Sequence, residues 1–69
     1  MSKLLMFRKE NAFTQREMAK KIGVSVSYYA MIELELRNPS YNFIKKFISA
    51  FPNSDAVNIF LKENFTLSE

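Results

Sequence analysis

Thr14 and Ser25 are two helix-starting residues only about eleven positions apart, with a single glycine, Gly23, between them in "FTQREMAKKIGVSVSYYAMIE". Thr14, with Glu17 three residues on, makes a capping box, so a helix opens there. Met18, Ala19 and Ile22 form its buried stripe. Gly23 stands where a helix end needs a left-handed residue, and Ser25 caps the next helix without delay. Tyr29 and Ile32 repeat on the inner side of that second helix, which is expected to run to Leu34. So short a link forces the two helices to cross steeply. The pair is either a helix-turn-helix or an ordinary corner in a small bundle, and spacing alone leaves the two readings even. A helix over 26–34 would be roughly 13 Å long at about 1.5 Å per residue, enough to lie in a major groove about 12 Å wide.

The rest of the chain reads as helices too. Ser2 caps a first helix, with Leu4, Leu5 and Arg8 on one face and an end near Asn11. Pro39 breaks the pattern after Leu34, and Ser40 caps a fourth helix. Ile44, Phe47, Ile48 and Phe51 mark its inner side, with Lys45 and Lys46 outside. "PNSD" stops it, and Ser54 with Asp55 opens a fifth helix through Val57, Phe60 and Leu61. The fold class expected is therefore all-α: five short helices in one domain over residues 1–63, with a tail over 64–69 that orders on dimerisation.

Composition narrows the chemistry. A chain of 69 residues holds one small domain whose core is barely sufficient. It has no Cys and no His, which removes disulfides, zinc fingers, Cys nucleophiles and His bases together. Seven Phe supply the bulk instead, and two Pro with one Gly leave little room for long loops. No apolar run reaches the ~18 residues of a membrane span, and no secretory start is present, so a cytoplasmic location is the default. The net charge of +3 suits a nucleic-acid binder but decides nothing by itself. No metal or cofactor is expected.

The pieces "LLMFRKE", "TQREMAKKIG", "VSVSYYAMIE" and "RNPS", in this order and spacing, resemble the phage-repressor and Cro type of helix-turn-helix domain, the Xre family. The resemblance runs from about Leu4 to Leu61. It implies a five-helix, lambda-repressor-like fold whose second and third helices bind double-stranded DNA. Arg8 and Glu33 match a family ion pair tying the first helix to the third. Gln15 matches a residue similar to a phosphate clamp, and its backbone N–H with that of Arg16 lies at the positive end of a helix. The recognition helix, by the resemblance, presents Ser25, Val26, Ser27, Tyr28 and Met31 to the groove, while Tyr29 falls in the core. None of those five is Arg, Lys, Asn or Gln, so the common bidentate base contacts are missing. Affinity is then expected from phosphates and DNA shape. The phosphate candidates are Gln15, Arg16, Arg37, Asn38, Ser40 and Tyr41; Lys45 and Lys46 lie further out, as scattered lysines on a solvated face do.

Two positions depart from the family pattern. Ala12 and Glu35 stand where it usually has Gly. Either both corners are strained, at roughly 1–2 kcal/mol for a non-Gly residue in the left-handed region, or the third helix runs on and moves Arg37 and Asn38. The C-terminal end carries Val57, Ile59, Phe60, Leu61, Phe65 and Leu67, more apolar surface than one terminal helix buries. A homodimer through Phe60, Leu61 and Phe65 is expected, against the plainer reading in which Phe60 and Leu61 complete the monomer core. No effector domain is expected, so control would come from a partner or from concentration.

Three functional classes compete. The first is a DNA-binding repressor or Cro-like regulator of a phage or other mobile element, dimeric on an operator. The second is an interaction module of the same fold that antagonises another regulator, because aromatic and Met residues suit protein interfaces. An enzyme is the third and weakest: Glu33 and Glu35 are two apart on a helix and diverge, no Ser has a His base, and no Gly-rich phosphate loop exists.

Overall fold

Each helix begins where a side-chain oxygen can take up an N–H that the helix itself leaves without an acceptor. In the computed structural model, which describes residues 2–60, the elements are α1 (Lys3–Glu10), α2 (Gln15–Ile22), α3 (Val26–Glu33), α4 (Tyr41–Ala50) and α5 (Ala56–Phe60). The hydroxyls of Ser2, Ser25 and Ser40 accept from the N–H of Leu5, Tyr28 and Phe43 at 3.0, 3.1 and 3.1 Å. Thr14 and Glu17 close a full capping box, at 3.0 and 2.8 Å, and Asp55 takes the Asn58 N–H at 3.2 Å. Each such cap contributes on the order of 1 kcal/mol. The described residues contain no strand.

The first three helices end alike. In α1 and α3 the chain turns through a left-handed residue and two backbone bonds run back into the last turn: Phe13 to Arg8 and Ala12 to Lys9 after α1, Leu36 to Met31 and Glu35 to Ile32 after α3. After α2, Gly23 and Val24 both donate to the Ala19 carbonyl. Only α2 has glycine at the left-handed position, with φ +94°. Ala12 and Glu35 hold φ +58° and +63°, so of the two alternatives left by the sequence the strained corners are the ones adopted. Helix α3 stops at Glu33. Glycine would remove about 1–2 kcal/mol of strain and return about 0.4–1 kcal/mol as unfolded-state entropy. Ala12→Gly and Glu35→Gly are therefore each expected to stabilise by about 1 kcal/mol in urea unfolding. A loss of stability in both would show that these corners are not strained.

The core is Leu4, Met18, Ala19, Ile22, Tyr29, Ile32, Phe43 and Phe47. Aromatic rings join its layers. Phe47 meets Phe7 of α1, Phe51 and Phe60 of α5 with centroids 5.2, 5.1 and 5.0 Å apart, while Phe43 meets Tyr29, Tyr28 and Phe60 at 6.5, 5.8 and 6.0 Å. Such edge and tilted pairs are the preferred aromatic geometries. The inner face of α4 is turned from the expected one. Phe43 is buried, and Ile48, expected inside, is 45% exposed.

Candidate nucleic-acid interface

Helix α2 reaches α3 through Gly23 and packs across it, and a single carboxylate fixes how the first three helices meet. Glu33, at the end of α3, is buried. Arg8 of α1 grips it twice, Nε to Oε2 at 2.7 Å and Nη2 to Oε1 at 3.1 Å. Gln15 Nε2 of α2 donates to Oε1 at 2.9 Å, and the Tyr29 hydroxyl donates to Oε2 at 2.7 Å. The remaining arm of Arg8 donates to the Phe13 carbonyl at 3.0 Å, beside the left-handed corner at Ala12. No buried side-chain nitrogen or oxygen among the described residues lacks a partner.

The electrostatics follow from this clustering. Burial alone would push the Glu33 carboxyl up, but hydrogen bonds from Arg8, Gln15 and Tyr29 more than offset it and hold the carboxyl below its ordinary range. The hydrogen bond to Glu33 raises Arg8. Burial, then the bond to Glu33, pushes the Tyr29 hydroxyl far above the usual phenol range. All three groups keep their ordinary neutral-pH charge.

The residues expected to face DNA divide into two kinds. Ser25 and Ser27 are exposed at the start of α3, although the Ser25 hydroxyl is engaged as the helix cap. Val26 and Tyr28 are half-buried and pack on the core. Met31 is half-buried as well. Tyr28 is held on three sides: its ring stands edge-on to Phe43, its hydroxyl donates to Ser40 Oγ at 3.3 Å, and the Arg37 guanidinium lies 5.4 Å over its face. It thereby links α3 to the start of α4 and to the α3–α4 connection. That stacking is a cation–π contact of about 0.5–1 kcal/mol at an exposed site, and it orients Arg37.

The phosphate candidates are similarly placed. Arg16, Arg37, Asn38, Ser40 and Tyr41 are exposed. Gln15 has its side chain on Glu33, so what it offers an anion is its backbone N–H, which with that of Arg16 has no acceptor within α2. Lys45 lies 5.4 Å over the Tyr41 ring. Phe60, expected at a dimer interface, instead packs against Phe43 and Phe47 of its own domain. Leu61 and Phe65 lie outside the described residues, as does the expected tail over 64–69.

Sequence reasoning missed Gln15 as a Glu33 partner and Tyr28 as a brace. The Gln15 amide is 18 residues from Glu33 and the Tyr28 hydroxyl 12 from Ser40, and no local signal reports pairs so separated. No described helix is long and apolar enough to cross a membrane.

Comparison with curated proteins and with solved structures found no match. The family model described as Helix-turn-helix matches residues 4–56, which takes in α1 from its second residue, α2 to α4 whole, and the Glu33 cluster. The crossing of α2 and α3, the glycine between them and the exposed start of α3 are thus those of a DNA-binding regulatory domain, and the chain belongs to the Cro/repressor-type helix-turn-helix family, with its lambda-repressor-like all-α fold.

Proposed function

We propose that this helix-turn-helix chain is a sequence-specific transcriptional regulator of the repressor or Cro kind, from a phage or other mobile element, and not an enzyme. It works in the cytoplasm as a homodimer that occupies an operator in double-stranded DNA. The observation that carries the reading is the recognition helix itself: Ser25 and Ser27 are exposed at its start, and Tyr28 anchors it to Ser40. Base reading falls to Ser25, Val26, Ser27, Tyr28 and Met31, which offer hydroxyls and apolar contacts but no bidentate pair. Gln15, Arg16, Arg37, Asn38, Ser40 and Tyr41 hold phosphates. Affinity leans on the backbone and on DNA shape, and selectivity by direct contact is shallow.

A dimer places half-sites about 34 Å apart. Val57 on α5 is 69% exposed, which supports a self-association surface at this end, joined by Leu61 and Phe65. Selection from a pool of random duplexes, followed by affinity measurements across salt, tests the reading. An enriched motif with two-fold symmetry is expected. The logarithm of affinity is expected to fall against log salt, with Arg16 and Arg37 of both subunits contributing about −4 to the slope at about −0.9 each. No enrichment, with binding only at low salt, would overturn it.

A second reading has one observation behind it. Leu34 and Leu36, just past the recognition helix, are 61% and 71% exposed. Exposed leucines there suit a protein surface better than a phosphate backbone, so the same fold would bind and antagonise another regulator. A shallow salt slope with retention of such a regulator in a pull-down would favour it.

A further inference from the structure

We propose that the cleft between the C-terminal half of α2 and the outer face of α4 holds a phosphodiester of the bound DNA, outside the stretch that the recognition helix covers. The inference rests on the DNA-binding reading and extends it to a second contact.

The cleft is open, has a volume of about 420 Å³, and is lined by Lys21 and Ile22 of α2 and by Asn42, Lys45, Lys46 and Ser49 of α4. The four polar α4 residues follow one another at helical spacing, so they form one stripe, with Ala50 lining the cleft beside them. Three lysines, an asparagine and a serine therefore line a single hollow. Both walls come from acid-free sequence, because residues 18–32 and 36–54 contain no Asp or Glu.

None of the three lysines is ion-paired among the described residues. Lys21 lies 5.0 Å over the Phe13 ring, Lys45 sits over Tyr41, and Lys46 makes only a long 3.5 Å contact to the Gly23 carbonyl. Each ammonium has three donors, so most of that capacity stays available. Like charges lining one hollow focus a positive field and draw an anion in. Scattered surface lysines share no common hollow.

Position identifies the anion. The Lys46 contact is to the turn between α2 and α3, two residues before the cap of the recognition helix. At its other edge Asn42 follows Ser40 and Tyr41 at the start of α4. The cleft thus joins two parts of the surface assigned to DNA. Being open rather than enclosed, it suits a backbone passing across it better than a small molecule. A recognition helix without guanidinium or carboxamide readers also leaves more of the affinity to phosphates.

The test uses a duplex selected as above and two charge-matched variants of the full chain. Lys45→Gln/Lys46→Gln is expected to lower the magnitude of the salt slope by about 1 per subunit, the loss of one phosphate contact, with the ranking of operator sequences unchanged. Lys3→Gln/Lys9→Gln, on α1, is expected to leave the slope as it was. Thermal unfolding of both variants checks that the fold is intact. An unchanged slope in the α4 variant, or equal losses in both, would overturn the proposal while leaving the helix-turn-helix reading in place. Absence of duplex binding by the parent chain would overturn both, and is seen before any variant is made.

Discussion

Arg8→Met is expected to destabilise the domain by about 3–5 kcal/mol, as removal of one partner from a buried pair does. The same substitution at an exposed ion pair would cost under about 1 kcal/mol, so burial decides between the two. Glu33 is buried and accepts from Arg8, Gln15 and Tyr29. Methionine would leave a carboxylate with two neutral donors and no counter-charge, and would release the Phe13 carbonyl at the corner after α1. The pH dependence carries a sign that simple loss of packing lacks. In the parent, Glu33 is held below its ordinary range, so its contribution is complete above about pH 4.3, the unfolded carboxylate value. It is lost as pH falls through the lower, folded value. In the variant the uncompensated carboxylate is relieved by protonation. The gap between parent and variant should therefore be widest near neutral pH and should narrow on acidification. Urea unfolding followed by circular dichroism at several pH values reads both effects. A loss below about 1 kcal/mol, or a gap constant with pH, would mean that the cluster does not act as a buried charge pair. Arg8→Met/Glu33→Gln should recover part of the loss, because a neutral carboxamide can still serve Tyr29 and Gln15.

What the chain announced in advance was local. Ser2, Thr14, Ser25, Ser40 and Asp55 mark five helix starts because capping is a contest within a few residues. Gly23 marks the tight turn for the same reason. The Arg8–Glu33 pair came only through resemblance to a family, since nothing in the spacing of two charges 25 residues apart reports that they meet. The face of α4 shows the limit most plainly. Its apolar residues span nearly half its circumference, wider than one inward stripe, so periodicity allows more than one choice. The choice of Phe43 over Ile48 is made by where α3 and α5 deliver Tyr29 and Phe60, which is tertiary information. The interface has the same character. Its exposed serines and arginines are legible as a list, whereas Tyr28 becomes a brace only when α4 brings Ser40 under its hydroxyl. The lysines of α2 and α4 read as solvated charges until the two helices are set side by side.

Phe47→Ala is expected to cost about 3–5 kcal/mol, the range for deleting a buried phenyl ring from a packed core. Phe47 is 0% exposed and touches the rings of Phe7 on α1, Phe51 just after α4 and Phe60 on α5 at once, so its removal opens a cavity that no single helix shift can close. The chain has no Cys and so no disulfide to take up the loss, and native stability at this size is on the order of 5 kcal/mol. Truncation should therefore leave a large unfolded population at room temperature and a midpoint in urea near zero. The adjacent residue supplies the contrast. Ile48, 45% exposed on the same helix, should lose about 1 kcal/mol or less on truncation to Ala, because a half-exposed side chain leaves little cavity behind. Comparison of the two by urea unfolding separates a general loss of α4 hydrophobicity from loss of the ring cluster. Equal costs would place the α4 stripe back on the face that includes Ile48. The expected inequality also bears on DNA binding. Phe47 lies in the core, away from the residues assigned to the duplex, yet Phe47→Ala should abolish binding, since α4 supplies the Ser40 that anchors Tyr28 and the wall of the basic cleft. Ile48→Ala should bind the selected duplex as the parent does.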